Sequence, residues 1–104
     1  MSMPPGAIIT ALYPRKPDLT FDTEYYISHH IPLFTKLWRP YGAQDVYFTE
    51  AQPGSEYAYC VTLHFRDIEG WERAVGNEEE MGEIVGDVKN FTNGEAVFVV
   101  GRVV

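Results

Sequence analysis

The residues best suited to acid–base chemistry lie together in the segment Phe21–Leu37. His30 follows Tyr26 by four positions, so in a helix the two side chains share one face. An imidazole titrates near neutral pH, and modest changes in its surroundings make it a proton donor or acceptor. The pattern therefore predicts His30 and Tyr26 as catalytic residues, with Tyr26 hydrogen-bonding a substrate oxygen.

A purely structural role for His30 is the alternative interpretation. Pro32 lacks a backbone N–H, so it is expected to kink or break the helix between His30 and Phe34. A backbone carbonyl freed by this break can then hold the imidazole. Asp22 is expected to cap the helix N-terminus, and orienting a histidine is its rarer role.

Further residues are predicted to contact a ligand rather than to move a proton. Leu33 lies on the helix face of His30, and His64 lies on a strand face whose small side chains leave room for a pocket. The strand pattern leaves open whether His64 faces that pocket or a dimer interface. The predicted binding residues are Asp22, His64, Leu33 and Tyr13.

Neither a metal nor an organic cofactor is predicted. His29 and His30 are adjacent, whereas helical metal ligands are spaced by three or four positions. His29 instead lies about 100° around the helix and is expected to be exposed. Cys60 is the single cysteine, and the chain has no glycine-rich phosphate loop. These features favour a cofactor-independent protein.

Composition narrows the range of partners. The 104 residues carry a formal charge of −7, from 8 basic and 15 acidic side chains. Nucleic acids and anionic membranes bind basic surfaces, so neither is an expected partner. The sequence also lacks a signal-peptide pattern and an apolar run of about 20 residues, so a cytoplasmic location is predicted.

The order of elements predicts a βαββαβ fold. Alternating apolar residues and turn signals indicate strands, and periods of three to four residues after a capping side chain indicate helices. The predicted strands are Ala7–Tyr13, Asp45–Glu50, Tyr57–Phe65 and Ala96–Val104, with helices after Asp22, Asp67 and Asn77. This order predicts a single α+β domain over residues 1–104, with a flexible tail at 1–6 and a four-stranded antiparallel sheet carrying its helices on one face.

The sheet has a second face to cover. The third and fourth strands carry apolar residues on both faces, which is typical of strands buried on both sides. The sequence therefore predicts a homodimer in which two sheets pack face to face.

Three short motifs resemble the EthD-type group of the dimeric α+β barrel superfamily. They are Leu12-Tyr13-Pro14, Phe21-Asp22-x-x-Tyr25-Tyr26 and His30-Ile31-Pro32-Leu33, and the segment Asp87–Thr92 is also similar to that group. The resemblance implies a ferredoxin-like fold, a sheet-to-sheet homodimer and a cleft between helices and sheet. It also implies that His30, Tyr26 and Asp22 belong to the family motif.

The resemblance widens the range of reactions rather than choosing one. Relatives are linked to ether degradation with an oxidoreductase label, and others resemble small cofactor-free dehydratases, cyclases, isomerases and monooxygenases. We therefore expect an enzyme that acts on an apolar or aromatic small molecule by proton transfer at His30. A non-catalytic or stress-associated homodimer that binds a ligand in the same cleft is the alternative, and a haem-using relative is a third.

Overall fold

A four-stranded antiparallel sheet carries the helices on one of its faces. The computed structural model describes residues 4–104, and its strands lie in the order β2-β3-β1-β4. The strands are β1 (Ala7–Pro14), β2 (Ala43–Glu50), β3 (Tyr57–Phe65) and β4 (Val97–Arg102). This arrangement confirms the predicted ferredoxin-like α+β fold, with β1 and β3 at its centre.

Helical segments make both crossovers between the outer and central strands. From β1 to β2 the chain forms α1 (Thr23–Tyr25), a π-helical segment (Tyr26–His30), α2 (Ile31–Trp38) and a 3-10 turn (Arg39–Tyr41). From β3 to β4 it forms α3 (Ile68–Gly76), α4 (Glu78–Asp87) and a 3-10 turn (Val88–Asn90).

The three predicted helix caps are present. The first backbone N–H groups of a helix have no partner within it, so a side-chain oxygen before the helix stabilises them. Asp22 accepts a hydrogen bond from the Tyr25 N–H at 3.0 Å, and Asp67 accepts one from the Gly70 N–H at 2.7 Å. Asn77 caps α4 in the same way. The caps fix where each helix begins and therefore which face it turns to the sheet.

Pro32 does not break the helix as predicted. It is the second residue of α2, which continues directly from the π-helical segment, and the helix runs on through it to Trp38. The distortion comes earlier, over Tyr26–His30, where the Ile31 N–H bonds to the Tyr26 carbonyl one residue beyond the usual α-helical partner. The chain therefore continues as a helix past His30.

The two faces of the sheet have different surroundings. On the helix face, β1 and β3 contribute buried side chains to the core, including Ile9, Ala11, Val61, Leu63 and Phe65. The opposite face, called the open face below, contains the alternate positions on these strands: Ile8, Thr10, Leu12, Cys60, Thr62 and His64. These six side chains are half-buried and none carries a fixed charge.

The predicted N-terminal tail is only partly within the described residues, because positions 1–3 fall outside them. Gly6, its last residue, is fixed to the sheet: its N–H donates to the Phe65 carbonyl, and its carbonyl accepts from the Val103 N–H, both at 2.9 Å. Within residues 4–104, no helix has the length and apolarity needed to cross a bilayer.

The packing of α3 predicts an asymmetric response to two glycine substitutions. A methyl group on Gly70 would overlap the Tyr41 carbonyl oxygen, whereas one on Gly82 in α4 meets open space. We expect Gly70→Ala to destabilise the protein by about 1–3 kcal/mol through overpacking. Gly82→Ala should stabilise it by up to about 1 kcal/mol. Urea unfolding measures both, and equal midpoints would contradict the close contact.

Candidate functional site

His30 and Asp87 form a buried pair between the π-helical segment and the end of α4. His30 Nδ1 lies 2.9 Å from Asp87 Oδ2, and the two residues are 4% and 7% exposed. A carboxylate can only accept hydrogen bonds, so the imidazole donates from Nδ1. The partner of His30 is therefore a carboxylate and not the backbone carbonyl expected from the sequence.

Asp87 is held by three donors. The Tyr25 hydroxyl donates to its Oδ1 at 2.6 Å and the Asn90 amide donates to the same oxygen at 2.9 Å. Burial raises the pKa of Asp87, but the hydrogen bonds from Tyr25, Asn90 and His30 outweigh this effect and lower the pKa to about 2. Asp87 is therefore ionised at neutral pH.

Burial also sets the charge of His30. It lowers the pKa of the imidazole below its ordinary value of 6.5, and the nearby Asp87 carboxylate only partly reverses this. At neutral pH His30 is therefore uncharged, with its proton on Nδ1. Among residues 4–104, no side chain or backbone group hydrogen-bonds Nε2. This nitrogen retains a free lone pair.

Two tyrosines lie beside His30. The Tyr26 ring is 5.2 Å from the imidazole and 6.5 Å from the Tyr13 ring, and both tyrosines are buried. Burial raises the pKa of Tyr13 to about 12, although a hydrogen bond from Tyr26 opposes it, and burial also raises the pKa of Tyr26. Both hydroxyls therefore keep their protons at neutral pH and act as hydrogen-bond donors.

A cleft of about 670 Å³ opens beside this group, between α3, α4 and β4. Its wall is mainly apolar and includes Trp38, Trp71, Met81, Ile84, Val88 and Phe98, with His30 and Tyr13 among its polar residues. A smaller inner chamber of about 60 Å³ lies between α2 and the sheet and is lined by Tyr13, Tyr26, His30, Phe34, Trp38 and Leu63, among others. The cleft and the inner chamber share His30, Tyr13 and Trp38, so the candidate base lies where they meet.

The structure does not bring all the predicted site residues together. Asp22 caps α1 and lines a separate shallow pocket, so it does not contact His30. Leu33 packs against the hydrophobic core but lines neither the cleft nor the inner chamber. The structure therefore places neither residue beside the cleft.

His64 lies on the open face, away from the cleft. Its ring is 5.6 Å from the ring of Tyr47 on β2. Strand alternation puts it on the side opposite Leu63 and Phe65, which are buried under the helices. It is therefore unavailable to a ligand in the cleft. The sequence left open whether His64 faces the pocket or a dimer interface, and in the structure it does not face the pocket.

The sequence did not indicate Asp87, Tyr25 or Asn90 as site residues. Asp87 and Asn90 lie in the segment that resembles the EthD group, but no spacing rule connects them with His30, 57 residues before Asp87. Tyr25 contributes through its hydroxyl, which donates to Asp87. His29 is exposed, with Nε2 3.7 Å from Asp87 Oδ1.

No group of three or more histidine, cysteine, aspartate or glutamate side chains within residues 4–104 is arranged to hold a metal ion.

Solved structures share this fold over nearly the whole chain. An EthD-like protein from Ralstonia eutropha JMP134 is 21% identical with a TM-score of 0.83, over 96% of this chain and 94% of its own. An ethyl tert-butyl ether D (EthD) family protein from Bacillus halodurans C-125 is 22% identical with a TM-score of 0.68, over 94% and 98%. A dimeric ferredoxin-like protein of unknown function from Thermobifida fusca YX is 15% identical with a TM-score of 0.56, over 93% and 90%.

The sequence comparison identifies the same family. No curated protein matches the chain. The EthD domain matches residues 16–95. This range contains His30, Asp87 and most of the segment that leads from Asp87 to β4. This match covers well over half of the sequence and agrees with the fold and with the motifs around Tyr26 and His30. The chain belongs to the EthD domain family.

Proposed function

We propose that this protein is a cofactor-independent enzyme that removes a proton from carbon next to a carbonyl group of an apolar or aromatic small molecule. The observation that carries the proposal is the His30–Asp87 pair at the inner end of the cleft. A neutral imidazole whose Nδ1–H is held by a carboxylate offers Nε2 as a general base. Its lone pair is the unpaired basic site at the junction of the cleft and the inner chamber.

The proton transfer can be followed atom by atom. Nε2 of His30 takes the proton, and the C–H electron pair moves into the carbonyl to give an enolate. Asp87 stabilises the imidazolium that forms, because its negative charge lies 2.9 Å from Nδ1. The hydroxyl of Tyr13 donates to the enolate oxygen, since it remains protonated at neutral pH, and the Tyr26 hydroxyl donates to Tyr13 and orients it.

The same enolate serves several of the reactions expected from the sequence. Return of the proton at another carbon is an isomerisation, loss of a β-hydroxyl is a dehydration, and attack on a second carbonyl is a cyclisation. Oxygenation would need dioxygen as a further reactant. The apolar wall of the cleft selects the body of the substrate, because burying apolar surface drives its binding.

We propose further that the protein is a homodimer joined through the open face. Ile8, Leu12 and Thr62 lie on this face without a fixed charge beside them. On β4, Val97 and Val99 are 46% and 55% exposed and extend the apolar surface to the edge of the sheet. A second copy with the same surface would bury these residues, and the dimeric ferredoxin-like protein from Thermobifida fusca supports this arrangement.

The proposed base is tested by hydrogen exchange on a model ketone. We expect the protein to speed the exchange of the acetyl protons of 2-acetylnaphthalene for deuterium in D2O, followed by NMR. His30→Gln should slow this exchange by a factor of about 100 or more, because general-base catalysis contributes about that much. His64→Gln is the matched control, since His64 lies on the open face and does not line the cleft.

Two results would contradict the proposal. Equal exchange rates in His30→Gln and the parent protein would exclude His30 as the base. Binding of the ketone without any catalysed exchange would favour the ligand-binding alternative.

The state of His30 is tested by its own titration. Nitrogen-15 NMR should show neutral imidazole protonated at Nδ1 and a pKa below 6.5, with His29→Gln and His64→Gln used to assign the three histidines. Asp87→Asn should lower the pKa of His30 further, because it removes the charge that favours the imidazolium. A pKa above 6.5, or a proton on Nε2, would contradict the proposed base.

The same shifts predict how stability depends on pH. The folded protein resists protonation of His30, so the unfolded chain binds more protons below about pH 6.5 and the free energy of unfolding falls. Asp87 adds a further loss as the pH falls from its ordinary pKa of 3.8 towards about 2. Urea unfolding between pH 7.5 and pH 5 measures the first loss, and His30→Gln should reduce it.

The dimer is tested by sedimentation at micromolar concentration. We expect twice the chain mass for the parent protein. Thr62→Glu should give a monomer, because it places a carboxylate in the centre of the proposed apolar interface. Gln52→Glu adds the same charge in an exposed turn and should leave the dimer intact. A monomeric parent protein would overturn the interface.

A further inference from the structure

Trp38 has a buried hydrogen-bond donor without an acceptor. The residue is 6% exposed, and its indole Nε1 is inaccessible and has no hydrogen-bond partner within residues 4–104. Its ring neighbours are Phe34, Phe65 and Trp71, at 5.3, 6.2 and 5.2 Å. An unpaired buried donor destabilises the folded state, so its position calls for a physical reason.

The position of Trp38 relative to His30 suggests that reason. Both side chains line the cleft and the inner chamber. Their backbone positions are eight residues apart, which corresponds to about 12 Å along a helix. The wall between them is apolar, and Ile84 and Phe98 also line both cavities. A long flat molecule that reaches His30 at one end therefore extends along the cleft towards Trp38.

We infer that the indole N–H of Trp38 is a second recognition point, which donates a hydrogen bond to an oxygen at the far end of an elongated aromatic ligand. The substrate class is then an aromatic ketone of at least two fused rings. Its acidic C–H lies at His30, and it carries an ether, hydroxyl or carbonyl oxygen at the opposite end. The position of the C–H rests on the proposed function; the hydrogen bond at Trp38 does not.

The oxygen reaches Nε1 only when the side chains that shield it move. Met81 is on the same wall, and its unbranched side chain changes rotamer readily. The competing explanation is that the N–H points at the face of Trp71, since the two indoles are nearly perpendicular at 81°. Such a contact is weaker than a hydrogen bond to oxygen. The two explanations predict different responses to a ligand.

Two ketones of the same shape separate these explanations. 6-Methoxy-2-acetylnaphthalene carries an ether oxygen opposite its acetyl group, and 6-ethyl-2-acetylnaphthalene replaces that oxygen by a methylene group. The chain has two tryptophans, so NMR shows two indole N–H signals, which Trp38→Phe and Trp71→Phe assign. We expect the Trp38 signal to move downfield with the methoxy ketone and much less with the ethyl ketone.

Affinities of the same pair provide the second measurement. Trp38→Phe removes the N–H and keeps an aromatic ring, so it should weaken binding of the methoxy ketone about three- to tenfold. It should leave the ethyl ketone within about twofold. Trp71→Phe is the matched control and should change both affinities by the same factor. Equal losses for both ketones in Trp38→Phe, or an unmoved Trp38 signal, would overturn the inference and favour the contact with Trp71.

The deuterium exchange of both ketones keeps the two proposals apart. If His30→Gln loses the exchange and the Trp38 signal does not move, His30 remains the proposed base and the inference about Trp38 is wrong. A shifted Trp38 signal without catalysed exchange does the reverse: the cleft then recognises the ligand but His30 does not act on it.

Discussion

The buried carboxylate of Asp87 is the constraint on which the rest of the site depends. A carboxylate taken out of water without partners costs several kcal/mol, so the fold must supply donors around it. They come from both crossovers: Tyr25 and His30 from the helices after β1, and Asn90 from the turn after α4. The charge therefore fixes how the π-helical segment docks against the end of α4, and the same contacts that satisfy it place His30 at the cleft.

Two opposing effects then set the charge of His30, the proposed base. The neighbouring carboxylate favours the imidazolium, and burial among Tyr26, Phe34 and Phe91 disfavours it. Burial is the larger effect, so the ring is neutral at neutral pH, and in the proposed reaction the carboxylate stabilises the imidazolium. A histidine with the same burial but no carboxylate would be a weaker base. An exposed histidine beside the same carboxylate would have a higher pKa and would be protonated at a higher pH.

The sequence predicted the fold and half of this pair. Helical spacing placed Tyr26 and His30 on one inward face, and the caps at Asp22, Asp67 and Asn77 marked where the helices begin. Asp87 could not be predicted in the same way, because its contact with His30 joins two elements whose relative position depends on the packed core. Strand alternation showed which residues share a face with His64, but it did not show which face of the strand meets the helices. The burial of Val61, Leu63 and Phe65 shows that the helices cover the face opposite His64.

Strand β4 connects the proposed assembly with the proposed site. Phe98 lines both the cleft and the inner chamber, and its neighbours Val97 and Val99 point to the open face, because side chains alternate along a strand. As an edge strand, β4 is held by β1 on one side. A second copy that covers Val97 and Val99 would therefore also limit the movement of Phe98. In the proposed dimer, the wall of the cleft is more rigid than in one copy alone, and the shape available to a ligand depends on the partner.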